Sequence, residues 1–114
     1  MHHTISFKNA FKGIWTAVTT QNNLRVHFLL GSLVIFAAAY LRLSIQHVLV
    51  LVLAIALVMV AEMVNTAIEF LSNAITLEQN HFIKHAKDVS AGAVLLSAIF
   101  AVLIGLMIFI PALL

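Results

Sequence analysis

Residues 89–114 contain no aspartate, glutamate, lysine or arginine, and neither do residues 43–61. A bilayer span takes about 20 mostly apolar residues. Two charge-free runs of this kind leave the chain few ways to fold in water. Of its 114 residues 63% are hydrophobic and 9% are charged, where an ordinary soluble domain carries about 25% charged residues. Six basic and four acidic side chains cannot cover so much apolar surface. The expected class is an all-α membrane protein, with an N-terminal amphipathic surface helix and three transmembrane helices in one membrane-embedded domain over 1–114. The formal charge of +2 is too small to argue for nucleic acid, and the absence of cysteine excludes disulfides and thiolate metal sites. The start, MHHTISFKNAF, has no uninterrupted apolar stretch before Lys8 and Lys12, so no cleavable signal peptide is expected. His2 and His3 are assigned no role.

Residues 4–20 are expected to form the surface helix. Phe7, Phe11, Ile14, Trp15 and Val18 fall on one face, with Lys8, Asn9, Lys12 and Thr16 elsewhere. A basic helix with Phe and Trp on its other side suits a membrane interface. The polar stretch TTQNN follows, with Asn22 or Asn23 as the expected helix cap. The predicted spans are 24–41, 48–71 and 89–110, joined by LSIQH at 43–47 and by a longer polar loop at 72–88. Pro111 stands where a helix break costs little. Lys8, Lys12, Arg25, Lys84 and Lys87 flank one side of the spans, and Arg42 alone flanks the other. The positive-inside rule then places the N-terminus and the 72–88 loop in the cytoplasm.

Within AEMVNTAIEF, at 61–70, Glu62, Asn65 and Glu69 share one side of the second span, with Thr66 beside them and Asn73 just beyond. Glu62 and Glu69 are about 10.5 Å apart along the axis. A carboxylate in a membrane costs several kcal/mol unless it is paired or hydrated, so the stripe marks a functional site by default. The plainer reading is an interfacial Glu69, or ion pairs with Arg25 or Lys87 that serve packing. At the end of the loop, Lys87 and Asp88 lie at the depth of the stripe. Lys87 suits a phosphate, while Asp88 suits either a helix cap or a site role. His81 and His85 are spaced for a metal but lack an accompanying acid. No glycine-rich phosphate loop occurs, so any nucleotide must be held by carboxylate-bound magnesium and lysine.

EMVNTAIEF followed by AKDVSAGAVLL, with FKNAFKGIWTAV and NLRVHF upstream, resembles the small bacterial integral-membrane diacylglycerol kinases, a family that includes undecaprenol kinases. The resemblance covers nearly the whole chain. It implies a homotrimer in the bacterial cytoplasmic membrane with sites between subunits. The activity implied is ATP- and Mg²⁺-dependent phosphorylation of a membrane lipid alcohol, diacylglycerol first and undecaprenol as the alternative. On this resemblance Glu62 is the general base, Asn65 lines the site, and Glu69 holds magnesium with the ATP phosphates. Lys87 and Asp88 contact the nucleotide, and Glu78, Gln79 and Asn80 lie near the nucleoside. Lys12 and Trp15 belong to the helix that positions the lipid.

Two positions depart from the family pattern. Gln21 stands where a second metal-binding glutamate is common, and Asn73 stands where aspartate is usual. An amide is a poorer magnesium ligand than a carboxylate, which admits a weakened or inactive homologue beside the active enzyme. A different class, a small proton-coupled transporter, also uses membrane glutamates. It would place its key acid near the midplane, whereas Glu62 lies late in its span.

Overall fold

The structure is a computed structural model that describes residues 6–76, 78 and 80–114. The first residues of the expected surface helix, His2 and His3, and the candidate Gln79 lie outside the described residues. Four helices follow one another: α1 (Phe7–Thr20), α2 (Asn22–Tyr40), α3 (Ile45–Ile75) and α4 (His81–Leu113). Among the described residues three helices, α2 to α4, are long and apolar enough to cross a membrane. The all-α expectation of one amphipathic helix and three apolar helices holds.

The amphipathic helix α1 is opened by Ser6, whose hydroxyl accepts from the Asn9 N–H at 3.3 Å. Its apolar face stays open, with Phe7 74%, Phe11 68% and Trp15 70% exposed, as an interfacial helix requires. Ala17 and Leu24 are buried where α1 turns into α2. The expected Asn22 or Asn23 cap is corrected here. Gln21 is the residue before α2, and it makes no side-chain cap bond. Asn22 already lies in the helix, where its side-chain Oδ1 accepts from Arg25 Nη2.

A tight turn joins α2 to α3. Leu43 N–H bonds to Ala38 O at 3.0 Å and Arg42 N–H to Ala39 O at 3.1 Å. This paired closure puts the residue after the cap in the left-handed region, and Arg42 is there with φ 55. Leu43 then folds back onto the Ala38, Leu51 and Ile108 cluster, while Ser44 caps α3 at His47 N–H.

The long helices start and stop away from the expected limits. α3 extends from residue 45 to 75 rather than 48 to 71, and α4 begins at residue 81 rather than 89. The cause in α4 is Asn80, whose side-chain oxygen accepts from Phe82 N–H at 2.9 Å and Ile83 N–H at 3.2 Å. Asp88 is thus inside the helix and cannot cap it. Pro111 does not break α4, which continues to Leu113. At about 1.5 Å per residue both helices exceed the roughly 30 Å hydrocarbon layer. Counting about 20 residues from Ile45 puts Glu62 at the far edge of the layer and Glu69 outside it.

α3 is the centre. α4 and α2 both pack on it and α1 touches α2 and α3, while among the described residues the α2 and α4 backbones stay more than 8 Å apart and meet only through the side chains around Ala38, Leu51 and Ile108. Gly31 lets α2 approach, because a Cβ there would lie 2.7 Å from Ile55 Cγ2. In lipid, such close packing and interhelical polar bonds hold helices together, since acyl chains solvate apolar side chains as well as protein does.

Candidate active site

The stripe on α3 divides between its two neighbours. Glu62 is 3% exposed and Thr66 5%, and the Thr66 hydroxyl donates to the Glu62 carbonyl at 2.8 Å. Glu62 faces α2, where its Oε1 lies 2.9 Å from His27 Nδ1. The approach lacks hydrogen-bond alignment, and neither atom has another partner among the described residues. Arg25, the sequence-level candidate for an ion pair, instead bonds Asn22.

Asn65 and Asn73 face α4. Ser90 Oγ is 2.7 Å from Asn65 Oδ1 and 3.0 Å from the Lys87 carbonyl. A hydroxyl has one hydrogen, so both contacts are satisfied together when Ser90 donates to the carbonyl and Asn65 presents its NH₂ group. About two turns further along α3, Lys87 Nζ donates to Asn73 Oδ1 at 2.7 Å. Asn65–Ser90 and Asn73–Lys87 therefore clamp α4 to α3 beside the glutamates. An interhelical bond in a membrane contributes about 0.6–2 kcal/mol, a value that applies to the part-buried Asn65–Ser90 contact and not to the exposed Asn73–Lys87 contact. Glu69 lies between them, half-buried, with no hydrogen-bond partner among the described residues.

Other candidates stand apart from this cluster within one chain. Asp88 is exposed and accepts from Lys84 Nζ at 2.7 Å. Glu78 is exposed, its N–H bonded to Thr76 Oγ1, and Asn80 spends its oxygen on capping. Gln21 is half-buried at the α1–α2 junction, and among the described residues its amide reaches only the Thr20 hydroxyl at 3.4 Å. Lys12 and Trp15 are exposed on α1 and make no side-chain hydrogen bond to the stripe among the described residues. His81 and His85 turn their Nε2 atoms to each other at 3.1 Å.

No group of three or more His, Cys, Asp or Glu gathers for a metal among the described residues. Magnesium needs less, being held by one or two carboxylates together with phosphates and water. The unpartnered Glu69 beside Lys87 and Asn73 fits that requirement.

An apolar cavity of about 540 Å³ opens where α2 and α4 diverge over α3. Val34, Leu51, Val58, Ala98 and Phe109 contribute to its walls, and among the described residues His27 is the one titratable side chain lining it. The groove ends against the residue that touches Glu62. Sequence reasoning passed over His27 and Ser90. A signal for His27 was present: beyond Tyr40 and His47 at the turn, His27 and Glu62 are the first titratable groups met along each arm of the hairpin. Ser90 gives no such signal.

Fold and site define a small helical membrane protein with a carboxylate, amide and lysine cluster at one end of its spans. Residues 8–109 match the family model described as prokaryotic diacylglycerol kinase, and the chain belongs to that family. It is similar to a diacylglycerol kinase of Synechocystis sp., 43% identical over 111 residues, which cover 96% of this chain and 63% of that protein. It is also similar to an undecaprenol kinase of Bacillus subtilis, 36% identical over 108 residues, which cover 95% of this chain and 88% of that one.

Proposed function

We propose that this chain is a lipid kinase that transfers the γ-phosphoryl group of ATP to the hydroxyl of a membrane lipid alcohol, with diacylglycerol as the first candidate. The observation that carries this reading is the position of Glu62: a buried carboxylate at the edge of the hydrocarbon layer, in contact with His27, which lines the end of an open apolar groove. A lipid tail can lie in such a groove while its hydroxyl stays at the interface.

The hydroxyl oxygen bonds to the γ-phosphorus, its proton passes to Glu62, and the bond to the bridging oxygen breaks, so that ADP leaves with the electron pair. Such transfer depends mainly on positioning and charge neutralisation. Magnesium, held by Glu69 and the ATP phosphates, supplies that neutralisation when bound. Lys87 exchanges the Asn73 carbonyl for a phosphate oxygen, and Asn65 lines the site. Asp88, Glu78, Asn80 and Gln21 complete the nucleotide side, and Lys12 and Trp15 hold the lipid side on α1.

The basic residues favour an N-terminus inside, and membership of a prokaryotic family favours the bacterial cytoplasmic membrane. None of the apolar window of α4 is buried. That surface is free to meet lipid or another copy of the chain, and in a homotrimer with sites shared between subunits a second copy packs there.

The test offers γ-labelled ATP and Mg²⁺ to the protein in lipid, with diacylglycerol and undecaprenol in parallel. Label in one lipid names the substrate. Label in neither, together with ATP-independent proton flux in vesicles, would favour the transporter instead. Label only after Gln21→Glu would identify a homologue disabled at its metal site.

A further inference from the structure

His27 is a titratable side chain inside an apolar helix, and the proposed chemistry leaves it without a task. Its Nδ1 is sealed from water against Glu62 Oε1 at 2.9 Å. His27 side-chain exposure is 27% and that of Glu62 is 4%. Oε1 is both sealed and unpartnered, and Oε2, which makes no hydrogen bond among the described residues either, carries the little access that the 4% exposed side chain keeps. Among the described residues no lysine or arginine comes within ion-pair distance of Glu62. His27 is its one basic neighbour.

From this arrangement we infer that His27 is a positioning residue for Glu62. Its Nδ1–H holds Oε1 and leaves Oε2 to accept the proton of the lipid hydroxyl. A small ring rotation completes the alignment. A freely rotating carboxylate would present either oxygen, in several directions, to a hydroxyl that arrives from the groove. A fixed one presents a single lone pair at a constant depth, and preorganisation of this kind acts on the transition state. The inference rests on the lipid-kinase reading.

The choice of ring nitrogen gives the test. Asparagine places an amide N–H near the position of Nδ1; glutamine places one near Nε2; leucine has neither. Kinetics are measured for the full-length wild type, His27→Asn, His27→Gln and His27→Leu in lipid, with thermal unfolding as a check. Losing a hydrogen bond to a charged group predicts that His27→Leu and His27→Gln lower kcat roughly 10- to 100-fold. KM for ATP is expected to stay unchanged, with His27→Asn within a few-fold of wild type. Imidazole nitrogen NMR adds a readout that needs no turnover: Glu62→Gln should move the His27 Nδ1 signal. An active wild type with full kcat in His27→Leu overturns the inference and leaves the kinase reading intact. Equal losses in all three variants also overturn it, since they would indicate packing rather than a particular nitrogen. A wild type that phosphorylates neither lipid overturns both.

Discussion

Gly31→Ala tests how packing sets the site. Gly31 and His27 are four residues apart on α2, and Ile55 and Glu62 are seven apart on α3. Residues at these spacings share a helix face, so the Gly31–Ile55 approach and the His27–Glu62 contact are successive layers of one interface. An added Cβ at residue 31 would sit 2.7 Å from Ile55 Cγ2, where ordinary contact begins at 3.4 Å. Either the helices part by about 0.7 Å or Ile55 changes rotamer. A β-branched side chain in a helix has one strongly preferred χ1, so Ile55 yields poorly. Overpacking costs about 1–3 kcal/mol, and replacing a mid-helix glycine by alanine returns about 1 kcal/mol. The net expectation is a loss of about 0–2 kcal/mol. It comes with a larger effect on activity, because the same displacement lengthens the 2.9 Å His27–Glu62 contact. The Gly31→Ala/Ile55→Ala pair removes the clashing methyl and should restore activity relative to Gly31→Ala alone. Reversible unfolding in mixed micelles and phosphoryl transfer in lipid measure the two effects. Additive effects in this double-mutant cycle, or unchanged kcat in Gly31→Ala, would refute the coupling of this layer to the site.

Gln21→Glu restores a carboxylate at the α1–α2 junction and should lower the magnesium concentration for half-maximal activity, read from a Mg²⁺ titration at fixed ATP. Arg42→Gly removes a non-glycine residue from the left-handed region, a conformation that costs about 1–2 kcal/mol with a Cβ. Part of that gain is lost to the more flexible unfolded chain. A net stabilisation of about 0.5–1 kcal/mol is expected in the same unfolding assay, with activity unchanged because the turn lies at the opposite end of the spans.

Much of this was legible in the sequence because each signal was local. The charge-free runs give the long helices, and the spacing of Glu62, Asn65 and Glu69 gives the stripe. What the sequence hid was set between helices or by single capping atoms. The polar loop expected at 72–88 is mostly helix, because one asparagine oxygen at position 80 starts α4 eight residues early. That shift moves Asp88 from a helix end to an exposed face beside Lys84. The partner of Glu62 depends on how the α2–α3 hairpin closes and how near Gly31 lets it come, which the pattern of either helix alone cannot supply. Arg25 is the stronger cation and two residues away, yet the register selects His27.

The central claim is that Glu62 is the base in phosphoryl transfer to a lipid hydroxyl. Glu62→Gln keeps the shape and removes the proton acceptor, so initial rates of labelled phosphate transfer from ATP to the preferred lipid test the claim directly. Loss of general-base catalysis predicts a fall in kcat of about 10²- to 10⁴-fold, with ATP binding by the variant retained. A Glu62→Gln enzyme that transfers phosphate at the wild-type rate would contradict the claim.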